Sequence, residues 1–158
     1  MSTRRKFLVV ADDSLEFQAA LRFACRRARS TGGYVALLRG IEPAAFEHWS
    51  GVREEMARQQ REEAEAALQV SAAYVQTATG SPPEFLIQEA DSIRDALRAV
   101  LSEDEDIKIL VLAAAVGGRG PGPLVSTIAK EGVRWGDRKV PITIVPGDLT
   151  DDEIADLA

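Results

Sequence analysis

Short apolar runs alternate along the chain with longer stretches in which apolar side chains recur every three or four residues. Lys6 to Ala11 (KFLVVA), Tyr34 to Ile41 (YVALLRGI), Glu84 to Glu89 (EFLIQE), Ile109 to Val116 in IKILVLAAAV, and Val140 to Val145 (VPITIV) read as buried strands. Between them, Phe17, Ala20, Leu21, Ala24, Cys25 and Ala28 mark one face of a first helix. Val52, Met56, Ala64, Ala67, Leu68, Ser71 and Val75 mark a long, charge-rich second helix from Gly51 to Tyr74. Ile93, Leu97, Val100 and Leu101 mark a third, and Leu124 to Ala129 open a fourth.

The turn residues agree with that division. Asp13 and Glu16 have capping-box spacing, which predicts a helix start there, and Gly32-Gly33 supply its stop. Ser92 with Asp95 repeats the start signal. Pro123 suits a first helical position, where its missing N–H would have had no partner; that fourth helix is expected to run past Lys130 to Trp135. Pro141 confines the last strand to an edge. Residues 1–147 read as one domain and 148–158 as an acidic tail, with Thr150 or Asp151 capping a short helical turn.

Strand and helix in strict alternation predict an α/β protein: a single-domain, doubly wound, five-stranded parallel sheet with helices on both faces (Rossmann-like). In such sheets a ligand crevice opens at the carboxyl ends of the strands. The first and fourth strands are the most apolar, and they end on Asp12-Asp13 and on the run Gly117-Gly118-Arg119-Gly120-Pro121-Gly122-Pro123. If the two strands are neighbours, a carboxylate pair faces an amide-rich loop at a helix N-terminus. Ribose hydroxyls suit the first and phosphates the second. The run matches neither the Walker pattern nor GxGxxG, and a plain turn accounts for the same glycines.

Charge narrows the partners. A net charge of −6 and 46% hydrophobic residues describe a globular chain without the positive field that nucleic acid demands. Arg4, Arg5 and Lys6, and then Arg26, Arg27 and Arg29, read as solvated faces, as do the carboxylates of Ser102 to Asp106. Cys25 reads as a small buried hydrophobe and His48, the sole histidine, as a surface residue beside Phe46 and Trp49 in an irregular stretch from Pro43 to Gly51. Neither a metal cluster nor a membrane span is indicated, and the cytoplasm is the expected location.

The strand ending in Asp12-Asp13-Ser14, the Leu37-Leu38 strand followed by Glu42-Pro43, and the closing Val140 to Val145 together resemble the universal stress protein family, from Lys6 to Pro146. The resemblance implies strand order 3-2-1-4-5, a homodimer through the last strand, and either ATP binding or its absence. Nucleotide-binding members are similar to one another in a motif after strand four, G-x2-G-x9-G-(S/T). Here Ala113 and Val116 stand where its first two glycines belong. Gly117 to Pro121 replace nine residues with five, and Gly122-Pro123 replaces the final pair. Asp12 matches the ribose-side aspartate, and Gly40 stands where an aliphatic residue contacts adenine. Each departure removes a contact, because a Cβ obstructs backbone approach and a proline lacks a donor. Ser126 and Thr127 lie a turn later; substitution for the missing hydroxyl and simple capping explain them equally well.

The binding candidates are therefore Asp12, Asp13, Gly40, Ala113, Gly117, Gly118, Gly120, Gly122, Ser126 and Thr127. No catalytic or metal-ligating residue is assigned. The expected function is a stress-response regulator acting through dimerisation on the Val140–Val145 edge and an unknown protein partner, with weak or absent nucleotide binding. The alternative is an ATP- or AMP-binding switch. A nucleotide hydrolase using Asp12 and Asp13 is the least supported, since no nucleophile–base pair is visible.

Overall fold

The computed structural model describes residues 4–43, 49–132 and 134–158; the expectations for Phe46 and His48 fall outside them. In chain order the elements are β1 (Lys6–Val10), α1 (Phe17–Thr31), β2 (Tyr34–Ile41), α2 (Ser50–Thr79), β3 (Glu84–Glu89) and α3 (Ile93–Glu103). There follow β4 (Ile107–Ala114), α4 (Pro123–Glu131), β5 (Arg134–Trp135), β6 (Arg138–Lys139), β7 (Ile142–Pro146) and α5 (Asp151–Leu157). The five long strands pair in parallel in the order β3-β2-β1-β4-β7, which is 3-2-1-4-5 once the β5–β6 hairpin is set aside. The fold is thus the doubly wound α/β sheet that the alternation predicts.

Side-chain alternation sends each strand's residues to two cores. Phe7, Val9, Val35, Leu37 and Val111 join Leu21, Ala24 and Cys25 of α1 and Leu68 and Val75 of α2. Leu8, Val10, Leu38, Leu110 and Leu112 join Leu97 and Leu101 of α3 and Ile128 of α4. Every residue of β1 is buried, because that strand lies mid-sheet between β2 and β4.

The fourth strand lies two residues earlier than the expected Ile109 to Val116, which leaves Val116 exposed, and four helix boundaries also depart from the sequence pattern. Asp13 caps nothing: α1 starts at Phe17, and Glu16 occupies the N-cap without a side-chain bond. The reason is local, since Asp12 Oδ1 accepts from the Ser14 N–H at 3.0 Å and from its hydroxyl, folding the chain into a turn before the helix. Second, α2 continues to Thr79, where Gly80 at φ +79 ends it. Thirty residues of helix extend about 45 Å, well beyond strands of five to eight residues. Only Ala64, Leu68 and Val75 of its expected inner face are therefore buried, and Val52 is exposed.

Third, α4 stops at Glu131 instead of reaching Trp135, because Gly132 turns away at φ +88. Arg134-Trp135 pairs antiparallel with Arg138-Lys139, and Trp135 inserts into the second core at 2% exposure. Fourth, the tail forms two turns of α5 under a complete capping box between Thr150 and Glu153. Ile154 is buried, and Asp151 pairs with Arg22 of α1 at 2.9 Å.

Lys6 is also not the solvated residue its charged neighbours suggest. Its side chain is buried, bonds Asp104 and lies 2.7 Å from Glu84. Burial alone would lower its pKa, but the bonds to Asp104, Glu84 and Tyr34 outweigh that and hold it above the usual lysine value. Asp104 of the acidic connector is thereby an ion-pair partner and not a free loop carboxylate.

Candidate functional site

The carboxyl ends of β1 and β4 lie side by side, with Leu8 opposite Leu110 and Val9 opposite Val111. The chain leaves β1 through Ala11-Asp12-Asp13-Ser14 and β4 through Ala115 and the glycine run. Between the two exits is a cleft of about 290 Å³. Asp12, Asp13, Gly40, Ala113 and Gly122 of the expected residues border it. So do Arg39, Ile93, Phe17, Leu112, Pro121 and the first turn of α4 from Pro123 to Val125.

The other expected residues lie off the cleft wall. The Ala115 N–H donates to the Pro121 carbonyl at 3.0 Å, and this bond pinches Val116 to Gly120 into an outward loop. Gly117, Gly118 and Gly120 are exposed there, with open space around each. Glycine is needed at 117 and 120 for φ of +131 and +85, not for approach to a ligand. Ser126 begins the helical bonding of α4 through its N–H to the Gly122 carbonyl, and the Thr127 hydroxyl donates to Pro123 O at 2.8 Å. Both are accounted for by the helix itself.

The structure adds three features, of which the first was not singled out by sequence. Arg39 sits at the carboxyl end of β2, donates to the Ala11 carbonyl at 3.2 Å, and pairs with Asp13 at 3.2 Å. A charged residue inside an apolar strand, YVALLRGI, was the available signal. Asp13 therefore acts as a brace for Arg39, leaving Asp12 and Glu16 as the cleft carboxylates without an arginine partner among the described residues. Second, the backbone N–H groups of Leu124 and Val125 have no acceptor within α4, since they fall in its first turn. They supply a donor pair at the dipole's positive end, and Pro123 subtracts the third. Third, Ile93 closes the β2 side: a Cβ at Gly40 would lie in ordinary contact, 3.6 Å from its Cδ1, so a methyl group is accommodated there.

Three carboxylates, Asp12, Glu16 and the Arg39-paired Asp13, border the cleft with two backbone donors over an apolar floor. That set can orient a small polar molecule with an anionic end. No group of acidic, histidine or cysteine side chains suited to a metal occurs among the described residues, and no helix among them is long and apolar enough to cross a membrane.

The sequence profile of the Universal stress protein family matches residues 3–131. The chain belongs to the universal stress protein family. No curated protein matches it. Among solved structures, the universal stress protein UspA from Lactobacillus plantarum is similar at a TM-score of 0.67 and 18% identity, covering 91% of this chain and 99% of that one. A universal stress protein in complex with cAMP is similar at 0.66 and 16% identity, over 93% and 100% of the two chains. The Archaeoglobus fulgidus universal stress protein in complex with dAMP is similar at 0.61 and 17% identity, over 92% and 99%. At these identities the likeness is one of fold. This chain has a proline, Pro123, at the first position of α4, and the pinched loop of Gly117 to Gly120 before it.

Proposed function

We propose that this universal stress protein is a cytoplasmic stress-response regulator that works as a dimer, and that its β1–β4 cleft takes an adenine nucleotide weakly. The observation that carries the reading is the lip of the cleft. Leu124 and Val125 offer two N–H donors, Pro123 withholds a third, and the glycines that could add more are held outside by the Ala115–Pro121 bond. Two donors orient a phosphate but do not enclose one. Asp12 remains in position for ribose hydroxyls, and a volume of about 290 Å³ sits at the small end of ligand sites, which run from about 300 Å³ upward.

Calorimetry with AMP and ATP tests it. Dissociation constants near 0.1 mM or weaker are expected. Low-micromolar binding abolished by Asp12→Ala would overturn the weak-binding reading in favour of a nucleotide switch, which the relatives in complex with cAMP and dAMP favour.

The dimer reading rests on β7. It is a sheet edge carrying Ile142 and Ile144, the latter 43% exposed, and an apolar edge strand invites pairing. Light scattering at tens of micromolar is the test, and a monomer there would remove the dimer from the proposal.

A further inference from the structure

We propose a second ligand site, remote from the β1–β4 cleft, in the groove between α1, α2 and α5: a site for the linked phosphates of a small polyphosphate compound. Arg22, Arg26 and Arg29 are spaced at i, i+4 and i+7 on α1 and all line the groove, together with Ser30 and Tyr74. Its volume is about 630 Å³, more than twice that of the β1–β4 cleft at about 290 Å³.

Charge selects the ligand. Among the described residues only Arg22 of the three has a carboxylate partner, Asp151 at 2.9 Å. Three guanidinium groups against one carboxylate leave an excess of two positive charges lining one groove of a chain whose net charge is −6. A cluster of that sign on an acidic protein attracts anions, and the planar guanidinium fork matches phosphate oxygens two at a time.

Spacing selects further. Seven residues of helix separate Arg22 from Arg29 by about 10 Å. A single small anion meets one guanidinium, whereas a chain of phosphates runs along the stripe and meets all three. Helices bound the groove on three sides, and Cys25, Ala78 and Ile154 make its floor apolar, a shape for a small molecule and not for a flat protein surface. Burial pushes the Cys25 thiol up to about 12, so it remains a neutral thiol that contributes no competing charge.

Asp151 is the internal competitor. It occupies Arg22 from the first turn of α5, and a phosphate that takes Arg22 displaces that carboxylate. Ligand binding and the seating of α5 are thereby coupled in opposite directions.

The test is calorimetric titration of the full chain with sodium tripolyphosphate at constant ionic strength. Saturable binding is expected, weakened roughly tenfold or more in Arg26→Ala/Arg29→Ala. It should tighten about threefold in Asp151→Asn, which frees Arg22. Neither Arg26 nor Arg29 borders the β1–β4 cleft, so loss of binding in that pair reports on this groove alone. Arg26→Lys/Arg29→Lys, which keeps charge and loses the fork, should fall between wild type and the alanine pair.

ATP titrated in the Asp12→Ala background distinguishes the ligand's source. A gain over tripolyphosphate that Tyr74→Ala removes assigns a base-bearing compound, and equal affinity assigns the polyphosphate alone. Absence of saturable binding at millimolar tripolyphosphate, or binding untouched in a folded Arg26→Ala/Arg29→Ala protein, overturns the site. So does displacement by sulfate at equal concentration, which would reduce the groove to a counter-ion surface.

Discussion

The Gly147 N–H donates to the Ala114 carbonyl at 2.8 Å, and a Cβ on Gly147 would lie 2.5 Å from that same oxygen. It would also lie 2.5 Å from the Glu16 Cβ. The bond extends the β4–β7 pairing one step past Pro146, beside the start of α1. Glycine is required here for room alone, since its φ is ordinary.

Gly147→Ala is accordingly expected to destabilise the fold by about 2 kcal/mol, read as a lower urea midpoint at unchanged slope. Gly118→Ala is the contrast. Gly118 has open space around it and no positive φ, so its replacement should change stability by no more than about 0.5 kcal/mol. It should also leave nucleotide affinity alone, because the loop stands outside the cleft.

Pro123→Ser restores an N–H and adds a hydroxyl at the lip of the β1–β4 cleft. One further donor to an anion contributes about 1.5 kcal/mol, so AMP and ATP should bind roughly tenfold more tightly by calorimetry. Unchanged affinity would mean that phosphate does not rest on α4.

Lys6→Met tests the buried ion cluster. Removing the amine leaves Asp104 and Glu84 without their partner, at about 2 kcal/mol after allowance for the partial exposure of both carboxylates. The pH dependence has a definite sign. The folded Lys6 value lies above the usual 10.5, so its stabilisation is complete below that pH and fades only as pH climbs through the folded value. The difference in urea midpoint between wild type and variant should therefore hold constant through neutral and mildly alkaline solution. A difference that disappears by about pH 9 would show that Lys6 is not held in its charged form.

Trp135 is buried at 2%, and its indole N–H has no hydrogen-bond partner among the described residues. Trp135→Phe removes that donor together with part of the ring, so the lost packing is offset by the relief of an unpaired polar group. A change within about 1 kcal/mol is expected, in contrast to several for Trp135→Ala. Because Trp49 is 83% exposed, Trp135→Phe should also strip the blue-shifted component from the fluorescence and leave Trp49 emission. Retention of the blue component would contradict the burial of Trp135.

Much of the fold was legible because each long strand is a bounded apolar run. Tyr34–Ile41 and Glu84–Glu89 match their elements end to end, and Pro141 marked the sheet edge correctly. What escaped was decided by contacts distant in sequence or by single backbone angles. The spacing of Asp13 and Glu16 imitates a capping box, yet Asp12 takes Ser14 and Arg39 takes Asp13. Gly132 sits inside a helical pattern, and only its positive φ and the insertion of Trp135 reveal a hairpin. At the site, Asp12 and Gly122 were visible as strand-end and helix-start residues. The exclusion of Gly117 to Gly120 depends on one bond between Ala115 and Pro121, for which a glycine run carries no signal.

Within the β5–β6 hairpin, Arg138 donates to four main-chain carbonyls: Leu101 at 2.8 Å, Glu105 at 3.1 Å, Asp104 and Ile107. These span the last turns of α3 and the entry to β4, more than thirty residues upstream. A lysine, with one nitrogen, cannot serve acceptors spread so widely. In a screen of random variants, hits at this codon will therefore register as missing protein, and should be sorted from those that leave the chain abundant but silent.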